Sequence, residues 1–119
     1  MATNENQKSD KMPTAEPVNL ADLVSYQEGS VVSRTLAKRN GGTVTLFAFD
    51  QGQSLSEHTV PFEALVQVLD GEVELIIGGE TVTARAGEAV LMPADVPHAV
   101  NAIARFKMLL VMIRQVNER

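Results

Sequence analysis

The chain has no cysteine and no tryptophan, a single tyrosine, only two histidines, and fewer basic than acidic side chains. Each shortage removes a class of chemistry. Without cysteine there is no disulfide framework, no zinc–thiolate centre and no thiol nucleophile, which suits a reducing compartment. Ten Lys and Arg against fifteen Asp and Glu leave a net charge of −5. No basic excess is available to displace counterions from phosphates, so a nucleic-acid partner is not expected. No stretch approaches the roughly 20 apolar residues needed to span a bilayer, and the opening MATNENQKSDKMPTAEP lacks the apolar core of a secretory leader. The expectation is a cytoplasmic protein with no membrane partner. Also missing are the phosphate-cradling G-x-x-x-x-G-K-[ST], the dinucleotide G-x-G-x-x-G between strand and helix, and the G-x-S-x-G nucleophile elbow.

What is present is an ordinary globular composition, 45% apolar and 21% charged over 119 residues, enough for one core but near the size where association helps. Residues 1–17 are polar and poor in large apolar groups, so they cannot offset the entropy of ordering by their own burial. They read as a mobile arm, or one pinned on a partner subunit, ahead of a single domain over 18–119. The segment VNLADLVSY (18–26) admits either a short helical turn capped by Asn19 or an extended edge.

From residue 30 onward the pattern is short alternating strands: 30–37, 43–50, 56–60, 64–69, 72–77, 80–84, 88–92, 98–102 and 106–113. Asn40-Gly41-Gly42, Gly52, Asp70-Gly71 and Gly78-Gly79 divide them as turn signals. Spacings near ten residues favour an all-β barrel or sandwich over alternating β and α units. Alternation puts Val73, Leu75 and Ile77 on one face and Glu72 and Glu74 on the other, and sets Val82 and Ala84 against Thr81, Thr83 and Arg85. In LVQVL and FKMLLVMI both faces are apolar, so protein should cover both, and a second subunit is the simplest cover for the last strand. Arg34, Lys38 and Arg39 form the only basic cluster and flank a turn. They read as solvated loop charge, with an anionic-ligand site as the alternative.

The two histidines lie in G-QSLSE-H-T-V-P-F-E-A-LVQVLD-G (52–71) and G-EAVLM-P-A-D-V-P-H (87–98). These segments resemble the paired motifs of the cupin superfamily, G-(x)5-H-x-H-(x)3,4-E-(x)6-G and G-(x)5-P-x-G-(x)2-H-(x)3-N, in the right order and with the glycine-to-histidine and glycine-to-proline spacings met. The resemblance implies a double-stranded β-helix, a jelly-roll-like antiparallel barrel, and the doubly apolar last strand adds the expectation of a homodimer. The resemblance also implies a divalent metal held by motif histidines and a glutamate. His58 matches the first ligand and His98 the last, but the other two positions are Val60 and Ala64, neither of which can bind a metal. Glu63 is next door, yet neighbouring strand residues point to opposite faces, so its carboxylate should aim away unless a bulge intervenes. Asp95 replaces the motif glycine, which a turn tolerates because aspartate enters left-handed conformations more readily than most residues. Asn101 falls one residue short of the motif asparagine.

The parity of the family's ligands then places His58, Val60, Phe62 and Ala64 inside the barrel, with His98 reaching them. Met92, Met108, Leu110 and Met112 help line or close an apolar pocket of the usual small-molecule kind. Three readings of the histidines are open: buried groups that merely satisfy hydrogen bonds, a weakly held metal, or a metal-free general base as in epimerase-like members. The metal would be zinc, iron, nickel, manganese or copper. A thioether from Met108 or Met112 would favour Cu(I), though methionines on an apolar strand are mostly core filler. Glu57, Glu63 and Asp95 are the nearest acids in sequence, and each reads as a loop or outward charge. The leading expectation is a small-ligand-binding protein whose reduced two-histidine site recruits a metal. A metal-dependent oxygenase or isomerase acting on a small organic acid or carbonyl compound, and a metal-free regulatory module, are the alternatives.

Overall fold

The computed structural model describes residues 12–114, and the alternating segments become eight antiparallel strands. They are β1 (Val31–Arg39), β2 (Gly42–Phe49), β3 (Ser54–His58), β4 (Phe62–Ile77), β5 (Glu80–Arg85), β6 (Ala89–Met92), β7 (His98–Asn101) and β8 (Phe106–Arg114). One sheet runs β1-β2-β8-β4-β6 and the other β3-β7-β4-β5. The two share β4, so the sheet curls on itself into the barrel that the strand spacing implied. Gly78 and Gly79 carry φ of 58° and 86° between paired Ile77 and Glu80. That is the two-residue hairpin whose left-handed positions glycine occupies without a Cβ penalty.

Asp70-Gly71 departs from the expectation of a turn. β4 passes straight through it as one 16-residue strand, because both halves find partners. Before the dipeptide β4 pairs with β6 and β8; after it, with β5 and β7. Gly71 takes φ 79°, and the register against β8 shifts between Val68 and Asp70, which is a bulge that bends the strand from one sheet into the other. A Cβ on Gly71 would overlap the Arg105 carbonyl oxygen, so the bend demands glycine for space as well as for torsion.

Inside the curl, Phe49 stacks on Phe106 with centroids 4.6 Å apart, packed with Val66, Val68, Val73, Leu75, Ala84, Val100 and Met108. The assigned faces hold: Val73, Leu75 and Ala84 are buried, while Thr81, Thr83 and Arg85 are exposed. The outer face of the first sheet is covered in part by the chain itself. Asn19 Oδ1 accepts from the Ala21 N–H to cap a 3-10 turn, Leu20–Leu23, which settles the 18–26 alternatives in favour of the helical turn. Leu20, Leu23, Val24 and Tyr26 then pack on Leu46, Ala48, Leu69 and Leu109. This strap is pinned by Lys107 Nζ donating to the Ala21 carbonyl (2.6 Å) and Arg34 to that of Leu23 (2.9 Å). Tyr26 donates to Asp70, and Arg105 and Lys107 lie about 5 Å from its ring centroid. So part of the doubly apolar surface assigned to a second subunit is covered from within the chain, while Leu91 and Ile113, 57% and 52% exposed, stay bare. Of the arm expected over 1–17, residues 13–17 are exposed and irregular, while 1–11 and the polar end 115–119 lie outside the described residues.

Candidate functional site

The last residue of β3 and the first of β7 sit opposite each other: His58 pairs with His98. A bulge makes this meeting possible. Leu55 faces Val100, yet three steps along β3 to His58 match only two along β7 to His98. The extra residue reverses the side-chain parity, so Leu55 and His58 face the same hollow although an unbroken strand would send them to opposite faces. Without it Glu57 would meet His98; Glu57 is instead exposed. The imidazole rings approach edge to face with centroids 4.5 Å apart.

Both rings line a hollow of about 220 Å³ whose other walls are Phe47, Leu55, Val60, Ala64, Met92, Val100, Met108, Leu110 and Met112. Val60, Ala64, Met92, Met108, Leu110 and Met112 lie together at this hollow, and Phe62 lies elsewhere. Phe62 shares the inward parity but lies two residues beyond Ala64 at the start of β4, opposite Arg114, and borders a separate hollow under the Arg114 guanidinium. Three wall residues were not anticipated. Phe47 was legible in principle, since it alternates with Thr45 and Phe49 on β2 and stands opposite Met108. Leu55 and Val100 were hidden by the bulge and by the pairing of β3 with β7.

The hydrogen bonds define the tautomers. His58 Nδ1 lies 2.9 Å from the Ser56 carbonyl and His98 Nδ1 3.3 Å from that of Val96. A carbonyl oxygen only accepts, so in each neutral ring Nδ1 carries the proton and Nε2 keeps its lone pair. His98 is buried at 5% exposure, and His58 is at the exposed edge. Burial pushes the His98 pKa below the ordinary imidazole value and the neighbouring His58 lowers it further, against the Val96 hydrogen bond; His98 is therefore a neutral acceptor at pH 7. Among the described residues no carboxylate bonds either ring. Glu63 is exposed, and Asn101 is used by Glu74, to whose Oε1 it donates at 3.3 Å. Asp95 takes φ 65°, the left-handed state expected where the motif has glycine, and its N–H bonds the Val60 carbonyl at 2.8 Å.

Residues 45–113 match the family described as Cupin domain. The chain belongs to the cupin family. Solved structures agree over nearly the whole chain. A conserved protein of unknown function from Streptococcus pyogenes is 34% identical, with a TM-score of 0.85 over 89% of this chain and 93% of its own. A cupin superfamily protein from Desulfitobacterium hafniense is 29% identical, with a TM-score of 0.83 over 87% of this chain and 95% of its own. A cupin 2 conserved barrel domain protein from Leptotrichia buccalis reaches 42% identity and a TM-score of 0.80 over 82% of this chain and 47% of its own. No curated protein matches this cupin.

Cupins often bind metals, and the donor set here can be tested against that habit. Two imidazoles with free Nε2 lone pairs stand at one wall, and the remaining walls are hydrocarbon or thioether. Among the described residues there is no group of three or more His, Asp or Glu able to hold an ion. A catalytic centre of the zinc type takes three protein ligands. The residues present do not fit a resident metal centre of that kind.

Proposed function

We propose that this cupin binds a small, largely apolar molecule in the histidine-walled hollow. The observation that carries the reading is the pairing of two imidazoles, their ring centroids 4.5 Å apart, as the only polar side chains among the residues lining the hollow. Such a cavity combines apolar burial with convergent polar groups that orient a guest. Each Nε2 offers an acceptor, so a hydroxyl, enol or amide N–H on the guest would be recognised there. A divalent metal (zinc, iron, nickel, manganese or copper) enters only with a ligand that brings its own donors, His58 and His98 each supplying one Nε2. Held at two points, such an ion would exchange readily.

Titration of untagged protein with zinc and with hexanamide, each alone and together, tests this reading. Hexanamide should bind with or without zinc, and His98→Ala should weaken it. Failure of hexanamide and of a wider panel of small apolar amides and enols to bind would remove the ligand reading. Tight zinc binding alone, retained in His58→Ala, would remove the two-histidine account of the metal.

A homodimer accompanies the proposal, in the cytoplasm that the cysteine-free composition suits, and with neither nucleic acid nor membrane as partner. No helix among the described residues is long and apolar enough to cross a membrane. The outer row Leu91–Leu65–Val111–Val44 runs across four strands, Leu91 exposed and the other three half-buried, and burying it between two copies would remove apolar surface from water. Leu91→Glu should convert a dimer to monomers in sedimentation. A wild type that sediments as a monomer at micromolar concentration counts against it.

A further inference from the structure

The histidine hollow adjoins a second one of different chemistry. Alternation along β8 turns Met108, Leu110, Met112 and Arg114 to the same side; the first three line the histidine hollow and Arg114 reaches the next. Met112 borders both. The second hollow, about 190 Å³, is also bordered by Lys38, Arg39, Thr43 and Phe62. Three cross-strand pairs bring them together: Lys38 with Thr43, Thr43 with Met112, and Phe62 with Arg114. The Arg114 guanidinium lies 5.6 Å from the Phe62 ring centroid, which holds it at the rim.

The charge placed there is unbalanced. Arg85 pairs with Glu72 and Arg105 with Asp50, while Arg34 and Lys107 donate to strap carbonyls. Lys38, Arg39 and Arg114 form no salt bridge among the described residues: Arg39 donates to the Lys38 carbonyl at 2.8 Å, Glu63 borders a neighbouring hollow with Arg114, and no Asp or Glu borders the hollow that the three share. In a chain of net charge −5, three like charges gathered at one concave rim make a local anion-attracting field. The Lys38–Arg39 pair that read as loop charge therefore acquires a third member 75 residues away in sequence.

We infer that Lys38, Arg39 and Arg114 recognise an anionic head on the molecule whose body occupies the histidine hollow, which makes the ligand a short amphipathic carboxylic acid. The inference rests on the ligand reading proposed above. Met112 and Arg114 are two residues apart, roughly 7 Å along a strand, so a carboxylate at the rim and a short chain or single ring inside are commensurate. The inner volume is below the roughly 300 Å³ at which drug-sized sites begin, which keeps the body small. Guanidinium forks match carboxylate geometry with two parallel hydrogen bonds.

Calorimetric titration of the full chain with hexanoate and octanoate against hexanamide and octanamide, at low salt and pH 7.5, separates the two ideas. Each acid should bind about tenfold or more tightly than its amide, the advantage shrinking as salt rises. Lys38→Gln/Arg39→Gln/Arg114→Gln should abolish the advantage while leaving amide affinity unchanged, and Arg114→Lys in the wild-type background should retain part of it. Unchanged amide binding also certifies that the triple variant is folded. If acid and amide bind equally, or the advantage survives in the triple variant, the rim plays no such role and the cavity reading stands alone. If neither acid nor amide binds, the cavity reading fails and takes this inference with it.

Discussion

The two ends of the barrel are built from the same strands and differ in how their interiors are filled. At one end Phe49, Phe106 and Gly71 lie side by side on β2, β8 and β4, and the stacked rings close the interior. At the other the same strands offer Thr43, Met112 and Ala64, and a hollow remains. The outside repeats the contrast. The strap covers Leu46, Ala48, Leu69 and Leu109 near the filled end, whereas Leu91 and Ile113 near the hollow end are bare. The core cluster runs through both ends, but only one end keeps the volume that binding needs, where unfilled space forfeits dispersion contacts a guest can restore.

Truncation at the filled end gives the largest expected effect: Phe106→Ala should cost about 3–5 kcal/mol in urea denaturation. A value below about 1 kcal/mol would show that the aromatic stack is not the stabilising centre. Next comes a matched pair of enlargements. Ala84→Leu, buried in the same core cluster as Ala64 but lining no hollow, should cost about 1–3 kcal/mol by overpacking. Ala64→Leu, beside the hollow, should change stability by less than about 1 kcal/mol and eliminate hexanamide binding. Equal costs would erase the distinction between the ends. Tyr26→Phe, which removes the bond to Asp70, should lower stability by about 0.5–1 kcal/mol and leave ligand affinity untouched, since the strap belongs to the filled end.

The smallest effect is a pH dependence at the hollow end. The folded-state pKa of His98 is lowered by burial, so between that value and the unfolded value near 6.5 the unfolded chain binds more protons. Stability then rises with pH. The contribution is fully present above about pH 6.5 and is lost as pH falls through the folded pKa. In His98→Gln that segment of the stability–pH curve should flatten. A wild-type curve superimposable on the variant's would mean that His98 titrates as it does in the unfolded chain.

Turn chemistry and alternation made much of this legible. Gly78-Gly79 marked its hairpin, Asp95 its left-handed turn, and Val73, Leu75 and Ala84 their inward faces, because φ restrictions and the two-residue strand period act locally. Local rules misread Asp70-Gly71, since whether a glycine ends a strand or bends it depends on which strands wait on either side. Phe62 had the right parity and the wrong depth for the same kind of reason: alternation gives a face, not a position along the barrel axis.

By itself, then, the sequence determined the strands, the paired motifs carrying His58 and His98, and an interior too poor in donors for a full ligand set. Tertiary structure alone decided that a bulge after Leu55 swings His58 onto His98, that the strap covers part of the outer sheet, and that Arg114 joins Lys38 and Arg39. Register, bulges and cross-strand neighbours arise from pairing between segments distant in the chain, and no spacing within one segment encodes them.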